Sequence, residues 1–231
     1  MDVVDAGYRE RAGRHAAVAA VWSSVAAAPS ATLVAADGCF DLILRVAGSG
    51  HVSAFVYTPV TRAHYAAVEA GDRYLGVRLR PGFGPALVEH PELVRVAEQF
   101  VGRPEDLESL VANAVEACAK QPSIVTDFVA EARTSAGALR LTRGSTAARE
   151  RELQRACLRW LGLSPKAFLR VERVWAAREA IRAGTALAIV AADFGYADQA
   201  HLTREVRELL GVTPSSLRRV GNLQDLPAPI R

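Results

Sequence analysis

The first eighty residues carry short apolar runs separated by turn residues. Ala16–Trp22, Leu33–Ala35, Phe40–Val46, His51–Tyr57, Thr61–Val68 and Tyr74–Arg80 each read as a strand. Asp37-Gly38, Gly48-Ser49-Gly50, Thr58-Pro59 and Gly71-Asp72 punctuate them. Strands this short and evenly spaced suggest a small barrel or sandwich. Beyond Pro81-Gly82 the period becomes helical. Phe83–Glu89 reads as a short helix. Pro104 opens a longer one, whose face is Leu107, Leu110, Val111, Ala114, Val115 and Cys118. Two readings of that face stay open: packing on the preceding strands, or pairing with a second copy.

Ser123–Arg133 reads as a further helix. A Ser-, Thr-, Gly- and Arg-rich stretch, Thr134–Thr146, follows and shifts the composition. Arg149–Leu161 is amphipathic and stops before Gly162. Ser164-Pro165 is an N-cap with proline in the first helical position, and the helix runs to about Ala183. Ala186–Phe194, Gln199–Leu210 and Ser215–Arg219 complete the pattern, with Gly195, Asp198, Gly211 and Thr213-Pro214 between them.

Composition alters this picture in one respect. The chain has 231 residues and a formal charge of +3. Residues 1–137 hold 12 Lys and Arg against 16 Asp and Glu, whereas residues 138–231 hold 16 against 9. An acidic first part joined to a basic second part points the second at a polyanion. Three cysteines without CxxC spacing exclude a disulfide framework or a cysteine zinc site. No apolar run is long enough for a bilayer, and the charged N-terminus has no signal-peptide core, so a cytoplasmic protein without membrane contact is expected.

The functional signal lies between Leu187 and Arg219. A helix ending in Ala191 and Ala192, a turn with Gly195, and a second helix bearing surface arginines follow helix-turn-helix logic. The second helix has an apolar side (Leu202, Val206, Leu209, Leu210). Its other side shows Gln199, His201, Thr203, Arg204 and Arg207, a set suited to base edges and phosphates in a major groove. The literal run Gly195-Tyr196-Ala197-Asp198-Gln199-Ala200-His201-Leu202-Thr203-Arg204-Glu205-Val206, with Gly211-Val212-Thr213-Pro214 and Arg218-Arg219, closely resembles the signature of AraC/XylS-family transcription regulators. Ala200 departs from the usual serine, and Leu202 and Val206 from phenylalanine.

The resemblance implies two helix-turn-helix units joined by a linker helix, here Phe168–Ala183. The runs Glu152-Leu153-Gln154-Arg155 and Leu161-Gly162-Leu163-Ser164-Pro165-Lys166 resemble the end of the first unit and its connection. Its recognition helix then shows Arg149, Arg151, Arg155 and Arg159. Ala138–Thr146 is a poor leading helix. The first unit is therefore read as degenerate and mainly phosphate-binding; the alternative draws the leading helix from Val125–Arg133. Asp37–Ile43, Thr61-Arg62 and Leu75–Gly82 resemble a small cupin-like sensor domain found in one subgroup of that family.

The expectation is thus an α+β protein of two domains. Residues 1–122 form a small cupin-like β-barrel with flanking helices, 123–220 an all-α double helix-turn-helix, and 221–231 a tail. The expected function is sequence-specific regulation of transcription on double-stranded DNA, with a small-molecule effector, a homodimer and contact with RNA polymerase as further expectations. DNA contacts are expected from Arg149, Arg151, Arg155, Asp198, Gln199, His201, Thr203, Arg204 and Arg207. An anionic effector would meet Arg62, Arg78 and Arg80. No catalytic residue, metal ligand or cofactor is expected. Two alternatives stand beside this: a cupin-like metalloenzyme using His51 and His64, and a regulator that acts only through protein contacts. Bland readings remain for several residues. Arg149, Arg151 and Arg155 could pair with Glu150 and Glu152, His201 could support the turn, and Trp160 and Trp175 could be core aromatics.

Overall fold

The computed structural model describes residues 7–135 and 146–219. Its elements are β1 (Tyr8–Ala12), β2 (Val18–Val25), β3 (Ser30–Val34), β4 (Phe40–Val46), β5 (Val52–Tyr57), β6 (His64–Val68) and β7 (Arg73–Leu79), then α1 (Pro85–Val88), α2 (Glu92–Ala97) and α3 (Pro104–Ala117). The helical remainder is α4 (Ser123–Thr134), α5 (Ala147–Leu161), α6 (Pro165–Arg182), α7 (Leu187–Asp193), α8 (Gln199–Leu210) and α9 (Pro214–Leu217). Contacts divide the chain into two compact units. One comprises residues up to Ala31, Cys39–Thr58 and Ala67–Gln121. The other comprises Thr32–Gly38, Pro59–Ala66 and the chain from Pro122 on.

The first unit is built on a five-stranded antiparallel sheet in the order β1-β2-β7-β4-β5; β3 and β6 pair separately. Register sets its two faces. Val21 stands opposite Val77, and Val77 opposite Leu42; Leu75 stands opposite Leu44. These side chains form one core with Leu87, Leu93, Leu107 and Val111 from the helices. The apolar face of α3 is therefore used by its own sheet. Of the two readings left open for it, packing is the one realised.

The opposite face carries a polar brace. The Trp22 indole N–H donates to the Asp41 carboxylate at 2.6 Å, and Arg78 approaches the same buried carboxylate at 3.3 Å. The indole lies over Gly76, where a Cβ would sit 2.1 Å from the ring. Only glycine lets the tryptophan reach Asp41. A second brace joins Arg45 and Tyr74 to the buried Asp72, whose carboxylate also accepts the Gly48 and Glu69 amides.

The second unit is organised around α6. Its buried residues Pro165, Phe168, Leu169, Val171, Val174, Ala177 and Ile181 go round the whole helix. Buried positions on several sides of one helix require neighbours on several sides, and α4, α5, α7, α8 and α9 all pack on it. The Phe128 ring meets Phe168 at 5.8 Å. Cys157 is fully buried here, and burial pushes its thiol up to about 12, which keeps it an inert core thiol. Leu33 and Ala36, from the N-terminal part of the sequence, are buried in the same core.

Two elements escape the hydrophobic pattern. β1 reads Tyr-Arg-Glu-Arg-Ala and is an edge strand held by its ladder to β2. α2 is only six residues long, with Leu93 and Ala97 buried. The stretch 136–145, which contains most of the suspect leading segment, and the tail 221–231 lie outside the described residues.

Replacing Gly76 by alanine is expected to displace Trp22, unpair Asp41 and destabilise the first unit by about 1–3 kcal/mol. Urea unfolding of the full chain followed by circular dichroism measures it; unchanged stability would show that the ring has room to move.

Candidate nucleic-acid interface

Local chemistry fixes where α8 starts. Asp198 is extended, and its carboxylate accepts the His201 amide at 2.6 Å, a side-chain cap on the first turn. The His201 ring turns back to accept the Ala197 amide at 3.3 Å, and it meets the Tyr196 ring edge-on at 5.3 Å. The role the geometry gives His201 is support of the turn. Tyr196 is buried beneath it, Arg173 lies 5.6 Å over its ring, and burial raises its hydroxyl pKa. These contacts fasten the start of α8 to the end of α7 and to α6.

The face of α8 follows from its buried stripe, Leu202, Val206, Leu209 and Leu210. Arg204 stands on the opposite side and Arg207 flanks it, both exposed; Gln199 is exposed at the first turn, above the stripe, with Thr203 half-buried beside it. The Thr203 hydroxyl donates to the Gln199 carbonyl at 2.8 Å. Neither Arg204 nor Arg207 has a side-chain partner among the described residues. The neighbouring acidic residues are turned elsewhere. Glu205 takes a bidentate pair from Arg170 of α6 at 2.7 and 3.0 Å, and Glu208 meets Arg170 at 3.4 Å and Arg62 at 3.2 Å. The cations thus face solvent while the anions of the same helix are tied to its scaffold.

On α5, Arg149, Arg151 and Arg155 are exposed and likewise without a side-chain partner among the described residues. Arg151 and Arg155 are one turn apart on one face. Arg149 lies off that face and borders a groove of about 700 Å³ with Glu152, Arg155 and, from α4, Ser123 and Asp127. Arg159 lies 5.7 Å over the buried Trp160 ring. Trp175 donates its indole N–H to the Ala36 carbonyl. Both tryptophans are structural. α4 precedes α5 and packs on it and on α6, so a helix does stand at Val125–Arg133 within this core.

Residues 145–220 match the family described as a helix-turn-helix domain. That span is an AraC-type helix-turn-helix domain. A chain carrying it is a DNA-binding transcription regulator. No curated protein matches the chain by sequence. Among solved structures, ToxT from Vibrio cholerae is similar at 10% identity, with a TM-score of 0.45, covering 94% of this chain and 100% of that one. ToxT from Vibrio cholerae O395 gives 10% and 0.42 over 95% and 98%. The same protein bound to (E)-4-(8-methylnaphthalen-1-yl)but-3-enoic acid gives 9% and 0.41 over 92% and 98%.

In the helix-turn-helix domain, α7 and α8 form the second unit, and α6 is the linker helix. Its 18 residues span about 27 Å. The residues suggested for an effector each have a partner of their own. Arg62 pairs with Glu208 in the second unit, Arg78 with Asp41 and Glu10 in the first, and Arg80 donates to the Ala16 carbonyl. A cavity of about 470 Å³ in the first unit is lined instead by Val21, Leu44, Val46, Leu75 and Val101, with Arg9, Arg11 and Arg73 around them. His51 and His64 fall in different units. Among the described residues no group of three or more His, Cys, Asp and Glu is placed to hold a metal ion. No helix among them is long and apolar enough to cross a membrane.

The Asp198→Ala change removes the α8 cap and is expected to destabilise the second unit by about 0.5–2 kcal/mol, with Asp198→Asn restoring most of it. Thermal or urea unfolding of the two variants side by side measures the difference.

Proposed function

We propose that this chain is a cytoplasmic, sequence-specific regulator of transcription, and not an enzyme, that reads double-stranded DNA through residues 123–220. The observation that carries it is the disposition of α8: Arg204 and Arg207 are exposed and without side-chain partners among the described residues, while Glu205 and Glu208 of the same helix are tied to Arg170. An unpaired arginine keeps all its donors for a guanine edge or a phosphate. We assign base reading to Gln199, Arg204 and Arg207, with Thr203 alongside. Asp198 and His201, named earlier as DNA contacts, shape the turn that presents them.

The unpaired Arg149, Arg151 and Arg155 supply a second basic surface on α5. Phosphate neutralisation there requires no base specificity. The linker length supports engagement of successive grooves, whose spacing is about 34 Å. Where an effector acts, we place it in the first unit's cavity, whose apolar walls and arginine rim suit an apolar anion. A homodimer and a contact with RNA polymerase complete this reading.

The test uses the full-length chain and duplexes that it selects from a randomised pool. Arg204→Ala with Arg207→Ala is expected to lower affinity by about 10- to 100-fold and to relax the selected sequence. Wild-type affinity should fall steeply with salt. Binding that ignores both the substitutions and the salt would overturn the reading.

A further inference from the structure

The C-terminal end of α8 is not completed by its own neighbours in sequence. The last four carbonyls of a helix have no partner within it. Gly211, with φ of 74°, turns the chain so that its N–H returns to the Arg207 carbonyl at 3.0 Å. The next two carbonyls are taken from far upstream. The Ala63 N–H donates to the Glu208 carbonyl at 2.8 Å, and the Ala36 N–H donates to the Leu209 carbonyl at 2.8 Å.

Other contacts converge on this point. The Ala36 carbonyl accepts the Trp175 indole N–H at 2.8 Å, so one peptide unit links α8 to α6. Leu33 is buried in the helical core, and a Cβ on Gly211 would stand 2.5 Å from it and 3.1 Å from Ala63. Arg62 extends the ionic chain that runs through Glu208 and Arg170 to Glu205. Backbone, apolar and ionic contacts therefore fix α8 in position along its axis, in distance from α6 and in rotation.

We propose that Thr32–Gly38 and Pro59–Ala66 are positioning elements for DNA reading: they hold the last turn of α8, and with it Arg207, in reading geometry. This rests on the assignment of α8 as the reading helix. Arg207 belongs to that last turn, whereas Gln199 is held at the other end by the Asp198 cap. Withdrawal of the two stretches frays one end of the reader and leaves the other intact. The state of these two stretches is thereby transmitted to base recognition through two peptide N–H groups and one guanidinium.

The experiment uses the full chain with duplexes selected from a randomised pool by the wild type. Three variants are compared: Arg62→Ala, Arg62→Lys and Ala63→Pro, the last deleting a donor N–H. Amide hydrogen exchange should show Ala36 and Ala63 protected alongside the core of α8, and the segment 207–211 opening in Arg62→Ala. Affinity should fall about three- to tenfold in Arg62→Ala and by at least as much in Ala63→Pro. The loss should concentrate at the base pairs that also lose discrimination in Arg207→Ala. Arg62→Lys should restore most of it.

Ala36 and Ala63 amides exchanging as free loops, or a uniform loss over all base pairs, would overturn the proposal. Where Ala63→Pro fails to fold, Arg62→Ala with its lysine rescue still decides. Response to Arg204→Ala with Arg207→Ala but none to Arg62→Ala defeats only the positioning role; response to neither defeats the DNA-reading assignment as well.

Discussion

Enclosure of α6 is the constraint on which the helical unit depends. Phe168, Leu169 and Val174 point to different sides of one helix, and each is nearly or fully buried. Burying a large apolar side chain is worth about 1.5–3 kcal/mol, so exposing any of these side chains would cost heavily. Five helices meet the demand by packing around it. The Ser164 cap and Pro165 fix where it begins, and Ala183-Gly184 where it ends. Since α5 and α8 both pack against this rod, the enclosure of α6 governs the placement of each.

Charge is then partitioned by the same scaffold. Arg170 is spent on Glu205, Arg45 on Asp72 and Arg78 on Asp41. Buried or half-buried ion pairs of this kind fix geometry more than they add stability, because desolvation offsets much of the attraction. On α8 the glutamates are tied to Arg170 while Arg204 and Arg207 stay without a side-chain partner among the described residues, and on α5 the same holds of Arg149, Arg151 and Arg155, with Glu152 the one acidic residue beside them in that state. The excess positive charge of the second part of the sequence is therefore displayed at the surface. An excess of this kind raises encounter rates with a polyanion, and its local unpaired donors allow discrimination once bound.

Much of the helical unit was legible because its signals are local. Asp198, Gly211, Ser164-Pro165 and Thr213-Pro214 act on the residues next to them, and each stands at the helix end it marks. The buried stripe of α8 follows from period alone. The assignment of Arg204 and Arg207 to the open side was legible for the same reason, since it is the complement of that stripe. β1 was not legible, because an edge strand needs only one face and one neighbour, and its Arg-Glu-Arg run hides the alternation. The engagement of Arg62, Arg78 and Arg80 was equally hidden. Their partners Glu208, Asp41 and the Ala16 carbonyl are set by tertiary contact, which spacing does not encode.

The least legible feature is also the one that ties the two parts of the sequence together. Ala36 and Ala63 are alanines with no distinctive side chain, and their contribution to α8 is made by the peptide group, which every residue but proline possesses. No motif can mark such a donor. Its requirement is visible only from the other side, as a helix whose terminal carbonyls exceed what Gly211 can satisfy. A buried carbonyl without a donor costs about 1–3 kcal/mol, comparable to the worth of a base contact, so the upstream stretches and the reading helix are coupled at the scale of recognition itself. The helical domain is in this sense continuous in function but not in sequence: the core that presents Arg207 includes Leu33 and Ala36 as fully as it includes Leu202 and Leu209.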